Sequence, residues 1–299
     1  MTTTERATTV GEAVARSQAQ LRASGSPSPR LDAEVLAAHV VGRDRAWLLA
    51  HPETPMTPRW SDELSAAVER RSTGEPIAYI RGFKEWYSLR IRTDARALVP
   101  RPETEVLAHA AIAEVQGRLD AGPAPVVAWE VATGSGAVAL ALALRFRPAL
   151  ERGELSLVAS DASAEALELA TVNFTDHGVD AVVTVVRADL LAPAGEALPR
   201  PDVVVANLPY LSTAEVDAAA GSLAHEPRVA LDAGPDGLAL LRRLFEELPV
   251  RTAPRATVLL EVALGQADTV IALAPPGAVV TSLPDLAGVP RVVIVRLPA

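Results

Sequence analysis

An Asn-Leu-Pro-Tyr tetrapeptide follows the apolar run Val203–Ala206, which predicts a buried strand. The Asn207 side-chain carbonyl and the Leu208 main-chain carbonyl can both accept hydrogen bonds from an NH2 group. Pro209 would fix the backbone so that these carbonyls converge, and Tyr210 would supply a flat wall. Such a site orients a planar amide or amine with its lone pair toward an electrophile, although asparagine and proline are also common in ordinary turns.

A second feature is a glycine-rich turn after an apolar segment, Trp-Glu-Val-Ala-Thr-Gly-Ser-Gly-Ala at 129–137. Gly134 and Gly136 allow the backbone to approach a ligand closely. The turn lacks the third glycine of the dinucleotide motif, and no Lys-Ser/Thr pair follows to make a phosphate loop. An acidic residue before a short G-x-G turn suits a nucleoside that carries an amino acid tail, whereas the alternative is merely a tight turn.

Acidic residues recur where three predicted strands end. Glu130 ends the first strand, Asp161 follows the second and Asp189 follows the third. The carboxyl ends of strands in a doubly wound sheet line one crevice, where a carboxylate can accept both hydroxyls of a ribose. The alternative is that these acids cap helices.

The elements that would position these residues alternate between strand and helix from Val126 onward, which predicts a doubly wound, mostly parallel α/β sheet. The last two strands have no helix between them, so one of them should be antiparallel. The predicted strands are 126–131, 155–160, 182–187, 203–206, 257–262, 279–283 and 291–296, and the predicted helices are 137–147, 164–177, 238–248 and 266–273.

The N-terminal quarter has a different pattern. Apolar residues at helical spacing over 9–73 predict a small helical bundle, with breaks at Ser24–Pro29 and around the prolines at 52, 55 and 58. Short strands at Ile77–Ile80 and Tyr87–Arg92, on either side of Gly82, predict a β-hairpin that links the bundle to the sheet.

Composition restricts the class of protein. The 299 residues include no cysteine, which excludes disulfides, thiolate metal sites and a cysteine nucleophile, and no metal is expected. No apolar run reaches 18 residues, and the polar stretch Met1–Ala15 lacks a signal pattern, so a cytoplasmic location is expected. The formal net charge is −9, of which residues 81–299 carry −8. This charge argues against a large contact with nucleic acid phosphates.

Together these motifs resemble those of the class I S-adenosylmethionine-dependent methyltransferases, and specifically of the release factor glutamine methyltransferases, the family also called HemK or PrmC. The resemblance covers nearly the whole chain, and the Pro-Arg-Pro-Glu-Thr-Glu stretch is its most specific part. Its segments are Ser28–Glu34, Gly74–Tyr79, Val99–Glu105, the glycine turn, the Asn-x-Pro-Tyr site and His225–Leu231.

The resemblance implies a seven-stranded Rossmann-like sheet at 101–299, preceded by a helical substrate-docking domain at 1–75 and a hairpin linker at 76–100. It implies S-adenosyl-L-methionine as methyl donor and, as acceptor, the glutamine of the Gly-Gly-Gln motif in class I peptide chain release factors, held by residues 207–210. The residues expected to bind the donor are Glu130, Ala132, Thr133, Gly134, Ser135, Gly136, Asp161, Asp189, Leu190 and Asn207.

Two positions depart from the family pattern. Leu208 replaces a proline, but its expected contribution is a main-chain carbonyl, which leucine retains. Ala132 replaces a glycine, which is tolerable if its φ is negative. Asn-Leu-Pro-Tyr also resembles the ribosomal RNA adenine dimethyltransferases, so an RNA or DNA adenine methyltransferase remains the alternative. A silent cofactor-binding partner of another subunit is a third hypothesis.

The expected mechanism relies on positioning. None of the five histidines lies in the crevice motifs, so no dedicated general base is predicted. Asn207, Pro209 and Tyr210 are the predicted catalytic residues, and they would hold the amide nitrogen close to the methyl carbon. The roles of Arg101, Glu103, Glu105 and the segment 225–228 stay open, and Trp86 and Tyr87 are expected to pack rather than to stack on a ligand.

Overall fold

The computed structural model describes residues 8–122, 125–193 and 198–299, so part of the polar N-terminal stretch of the sequence lies outside the described residues. Its contacts divide the chain into two compact units. The first contains the chain up to Gly82 together with Ala219–His225, and the second contains Phe83–Ala218 and Glu226–Ala299.

The first unit is helical. Its core includes Leu21, Leu36 and Leu64, each at most 3% exposed, and a buried ion pair joins Arg71 Nε to Asp32 Oδ2 at 2.7 Å. The predicted break at 24–29 is confirmed. The helices are α1 (Val10–Ala23), α2 (Pro29–Val41), α3 (Arg45–Ala50), α4 (Pro58–Ser72) and α5 (Ile77–Arg81).

The predicted strand at Ile77–Ile80 is wrong, because these residues form α5. Gly82 ends this helix in the left-handed region, at φ 77°, and is not a hairpin turn. Four apolar residues fit a buried helix face as well as a strand, so periodicity alone could not separate the two. A hairpin does follow, with β1 (Phe83–Trp86) antiparallel to β2 (Leu89–Arg92).

The two residues between these strands have positive φ, 51° at Tyr87 and 60° at Ser88. This is the backbone of a two-residue hairpin turn that matches the strand twist. Trp86 is 2% exposed and its indole N–H donates to the Arg101 carbonyl at 2.8 Å, which confirms that it packs.

The second unit contains the remaining elements. The first of them, a helix of 17 residues, precedes the sheet and was not predicted, because its apolar positions are largely alanine and give a weak periodic signal. In chain order they are α6 (Thr104–Asp120), β3 (Val126–Val131), α7 (Ala137–Arg145), α8 (Arg147–Glu151), β4 (Leu155–Asp161), α9 (Ala164–Asp176), β5 (Val183–Asp189), β6 (Ala192–Pro193), β7 (Val203–Ala206), α10 (Thr213–Asp217), α11 (Ala239–Arg251), β8 (Thr257–Glu261), α12 (Ala267–Leu273), β9 (Val279–Pro284) and β10 (Pro290–Arg296).

Strands β3 to β10 form one sheet in the order β6-β5-β4-β3-β7-β8-β10-β9, separate from the β1-β2 hairpin. Strands β5, β4, β3, β7 and β8 are parallel, and β10 is antiparallel to both β8 and β9. The predicted α/β fold and its antiparallel strand are therefore confirmed, with the two-residue β6 added at one edge. The chain's strand order reverses between β3 and β7, which is where such sheets open a crevice at their carboxyl edge.

The sheet is covered on both faces, which explains why its central strands are apolar throughout. In β7 the side chains of Val203 and Val205 join one buried cluster with Leu107 of α6, whereas Val204 and Ala206 join another with Leu244 of α11. Alternate residues of a strand point to opposite faces, so β7 must be apolar at every position. Among the described helices, none has the length and apolarity needed to cross a bilayer.

Candidate active site

A cleft of about 730 Å³ opens at the carboxyl ends of β3, β4 and β7. Most of the predicted site residues meet in this cleft. Its lining includes Glu130, Ala132, Thr133, Gly134, Ser135, Asp161, Asn207 and Pro209, together with Arg96–Leu98, Pro100, Arg101, Thr104, Ala137, Val138, Ser163, Ala166, Pro227, Val229 and Ala230.

The glycine turn between β3 and α7 has a left-handed backbone at alternate residues. Ala132 and Gly134 have φ 55° and Gly136 has φ 79°. The Gly136 N–H donates to the Thr133 carbonyl at 2.8 Å, which closes the turn. The condition for tolerating alanine at 132 is not met, because its φ is positive and a side chain there is strained.

The two glycines serve different purposes. A Cβ at Gly134 would meet only the Ala97 side chain, at 3.9 Å, so this backbone is open to the cleft. A Cβ at Gly136 would lie 2.8 Å from the Phe174 ring of α9, which is closer than carbon atoms can pack. Gly134 therefore leaves the main chain open to the cleft, whereas Gly136, which does not line the cleft, lets α9 pack against the turn.

Glu130 is buried below the turn and fixes it. Its Oε2 accepts the Thr133 hydroxyl at 2.5 Å and the Ala139 N–H at 2.9 Å. Burial raises the pKa of Glu130 to about 8, and the nearby Asp161 charge contributes in the same direction. At pH 7 this carboxyl is mostly protonated, so it presents little negative charge to the cleft.

Asp161 ends β4 beside the turn. Its Oδ2 accepts the Gly134 N–H and its Oδ1 accepts the Ser163 N–H, both at 2.9 Å. Burial raises the pKa of Asp161, although these main-chain hydrogen bonds lower it. A carboxylate has about four acceptor sites. Main-chain N–H groups of Gly134, Ser163 and Ala162 take part of this capacity, and the remainder is available to a hydroxyl group in the cleft.

Five predicted residues lie outside the cleft lining: Gly136, Leu208 and Tyr210, which adjoin it in the chain, and Asp189 and Leu190. Asp189, at the end of β5, is exposed and its Oδ2 pairs with Arg243 of α11 at 2.7 Å. Leu190 is buried, with φ 54°, in the apolar cluster between the sheet and α11. The end of β5 does carry the acid as expected, but its carboxylate pairs with Arg243. Their contact with a ligand stays a prediction.

The Asn-Leu-Pro-Tyr segment extends from β7 into the cleft. Asn207 and Pro209 line it, and the Asn207 amide N–H donates to the Thr104 hydroxyl at 3.3 Å. The Leu208 side chain is buried in the apolar cluster, and with Tyr210 it lines a smaller adjoining cavity. No histidine occurs among the described residues that line the cleft, and residues 8–122, 125–193 and 198–299 contain no grouping of three acidic or histidine side chains suited to a metal ion.

Comparisons with known proteins decide the family. Residues 12–82 match the family described as the PrmC N-terminal domain. The release factor glutamine methyltransferase of Bordetella pertussis is 38% identical over 273 residues, which cover 88% of this chain and 93% of that protein. The chain belongs to the release factor glutamine methyltransferase family.

Further comparisons agree with this assignment. The release factor glutamine methyltransferase of Deinococcus radiodurans is 37% identical over 279 residues, covering 93% of this chain and 95% of that protein. The structure of the hMettl16 catalytic domain in complex with MAT2A 3′UTR hairpin 6 matches with a TM-score of 0.51 at 12% identity, covering 78% of this chain and 81% of that one. This likeness concerns the fold alone. As a member of the family, the protein is a methyltransferase.

The structure gives partners to residues whose roles the sequence left open. The Glu226 carboxylate accepts the Val99 N–H at 3.1 Å and pairs with Arg101 at 2.5 Å, and its side chain is fully buried. Glu105 accepts the Tyr87 N–H at 3.0 Å. The Pro-Arg-Pro-Glu-Thr-Glu stretch is thus tied to the cleft wall by a glutamate 125 residues away from Arg101.

Glu261, at the end of β8, was missed although it fits the pattern of acids at strand ends. It is 7% exposed and lines the smaller cavity beside Leu208, Pro209 and Tyr210. Burial raises the pKa of Glu261 to about 7, while hydrogen bonds from Thr104 and Asn207 lower it. A search for acidic residues at the end of β8, the fifth parallel strand, would have identified Glu261 in the sequence.

Proposed function

We propose that this protein transfers a methyl group from S-adenosyl-L-methionine to the side-chain amide nitrogen of the glutamine in the Gly-Gly-Gln motif of class I peptide chain release factors, in the cytoplasm. The observation that carries the proposal is the convergence of Asn207, Asp161 and the glycine turn in one cleft. The relatives match this chain along nearly their whole length and are named release factor glutamine methyltransferases, which supports the proposed acceptor.

The cleft fits a nucleoside with an amino acid tail. The open main chain at Gly134 can approach such a ligand, and the unused acceptor sites of Asp161 suit its ribose hydroxyls. When bound there, S-adenosyl-L-methionine supplies an electrophilic methyl group on a sulfonium. The neutral carboxyl of Glu130 keeps the turn closed without placing a second full negative charge beside Asp161.

Asn207 and Leu208 orient the acceptor. An amide nitrogen is a poor nucleophile, because its lone pair is delocalised into the carbonyl. The Asn207 side-chain carbonyl and the Leu208 main-chain carbonyl accept its two N–H bonds, so they align the nitrogen for in-line attack. Their dipoles also favour the positive charge that develops on this nitrogen. The nitrogen gains the methyl group and releases one proton to solvent.

The test supplies the purified protein with labelled S-adenosyl-L-methionine and one of three acceptors: an unmethylated release factor, its Gln→Ala variant at the Gly-Gly-Gln motif, or total ribosomal RNA. Label on the unaltered release factor alone is expected. Label on RNA alone would overturn the proposal in favour of an adenine methyltransferase.

A variant separates acceptor positioning from donor binding. Asn207→Ala should lower turnover at least 100-fold, because the nitrogen is no longer aligned. Binding of S-adenosyl-L-methionine, measured by calorimetry, should weaken far less than turnover, because Asn207 is only one of the predicted donor contacts and the glycine turn and Asp161 are unchanged. Near-normal turnover by Asn207→Ala with the donor bound would contradict the positioning mechanism.

A further inference from the structure

Glu261 is a buried carboxylate that the mechanism above does not use. The parallel register of β7 and β8 pairs Ala206 with Leu260, so Asn207 and Glu261 follow side by side on the same edge of the sheet. Thr104, the first residue of α6, is 5% exposed and reaches both of them. These residues form a three-membered polar cluster below the acceptor site.

The hydrogen bonds of this cluster have a direction. An ionised carboxylate can only accept, whereas a threonine hydroxyl donates once and accepts twice. The Asn207 amide donates to the Thr104 hydroxyl at 3.3 Å. Both side chains also lower the pKa of Glu261 as donors toward its carboxylate. A threonine hydroxyl that donates toward Glu261 keeps its lone pairs to accept from Asn207. The Glu261 carboxylate and the Thr104 hydroxyl therefore both act as acceptors toward Asn207, and its NH2 group must point to them.

The consequence concerns the other end of the same amide. With the Asn207 NH2 group held by Thr104 and Glu261, its carbonyl oxygen is the atom left for the cleft. A flipped amide would turn its carbonyl oxygen toward the Glu261 carboxylate, which offers no donor when ionised, and would present an N–H to the substrate's own donor. The amide orientation thus decides whether Asn207 can accept the substrate's N–H.

We propose that Glu261 is a positioning residue, whose carboxylate, together with Thr104, fixes the Asn207 amide with its carbonyl oxygen toward the acceptor nitrogen. The inference rests on the proposed function. A second observation supports it: the Glu261 Oε2 atom is buried and has no hydrogen-bond partner among the described residues. A carboxylate left partly unsatisfied in the interior is costly for folding alone, which points to a role in the site.

The protonation state of Glu261 should make turnover depend on pH. Burial and the neighbouring Glu103 raise the pKa of Glu261, to about 7, and Arg291 of β10 together with the hydrogen bonds from Thr104 and Asn207 lowers it. Tyr210 also lies near this carboxylate, and burial, followed by the Glu261 charge, raises the pKa of the tyrosine. Protonated Glu261 gains a donor and no longer specifies the NH2 end of Asn207. Turnover should therefore fall as the pH drops through about 7.

The experiment measures kcat and KM for release factor methylation between pH 5.5 and pH 9, with donor affinity measured separately by calorimetry. Glu261→Gln should lower kcat about tenfold at pH 8 and abolish the acidic limb, because its amide can present either end to Asn207. Donor affinity should be unchanged. Glu151→Gln is the matched control, since this exposed residue on α8 lines neither cavity, and it should keep the wild-type profile.

Two further variants leave Glu261 in place, in case Glu261→Gln fails to fold. Glu103→Gln removes a neighbouring negative charge, so the acidic limb should move to lower pH, and Arg291→Gln should move it to higher pH. A merely structural role would move neither. The inference would be overturned if the acidic fall in kcat stayed at the same pH in both variants. It would also be overturned if Glu261→Gln kept the wild-type kcat and its dependence on pH. No label transfer by the wild-type protein would instead overturn the proposed function, and with it this role.

Discussion

Gly136→Ala tests whether the glycine turn is constrained by packing or by ligand approach. An alanine at this position would hold φ 79°, which costs about 1–2 kcal/mol for an L residue. Its Cβ would lie 2.8 Å from Phe174 Cζ and 3.0 Å from the Ala170 Cβ, and overpacking of this kind costs about 1–3 kcal/mol. The lower entropy of the unfolded alanine chain returns about 0.5–1 kcal/mol. The net loss in the free energy of unfolding is therefore about 1–4.5 kcal/mol.

Gly134→Ala is the matched control. It has the same kind of backbone, at φ 55°, but its Cβ meets nothing closer than 3.9 Å. Its loss should therefore be about 1 kcal/mol, from the backbone alone. Donor binding should show the opposite order. Gly134→Ala should weaken it more than Gly136→Ala, because Gly134 lines the cleft and Gly136 does not.

The assay is equilibrium unfolding in urea, with a third variant to isolate the clash. Trp86 and Trp129 lie in the second unit, so replacing Trp47 and Trp60 by Phe makes tryptophan fluorescence report on that unit. Phe174→Leu removes the ring edge that the new Cβ would strike. The double variant should be at least about 1 kcal/mol more stable than the sum of the two single changes predicts. Additive losses, or equal losses for Gly134→Ala and Gly136→Ala, would refute the packing argument.

Two more substitutions probe the strained and buried residues of the same turn. Ala132→Gly should raise the free energy of unfolding by about 0.5 kcal/mol, because relief of the positive φ outweighs the added chain entropy; a loss in the urea midpoint would contradict the strain at 132. Burial raises the pKa of Glu130 from its usual 4.5 to about 8, so this residue binds more protons in the folded protein and its contribution to stability falls as the pH rises between these values. Glu130→Gln should flatten this fall in a pH series of urea midpoints, and an unchanged slope would show that Glu130 is ionised in the folded protein.

Local signals were enough to predict the parts of the fold that depend on neighbouring residues. The apolar run 203–206 became β7 with the same bounds, and the glycine turn was placed between a strand and a helix as its spacing indicated. By contrast, the segment 77–80 became a helix, since four apolar residues do not specify a period. Helix α6 was not predicted from the sequence, because alanine is found at both buried and exposed positions. Its alanines therefore give little contrast between the apolar and polar faces of the helix.

The sequence by itself determined that the acidic residues at strand ends and the Asn-Leu-Pro-Tyr segment would lie near one crevice. The reason is that alternating strands and helices form a doubly wound sheet, in which the carboxyl ends of the strands meet at one edge. Tertiary structure decided which of those acids face the crevice. Asp161 does, Asp189 turns to Arg243, and Glu261 joins Asn207 and Thr104 through the register of β7 and β8 and the position of α6. Side-chain direction and pKa depend on neighbours distant in the chain, and only the folded packing brings those neighbours together.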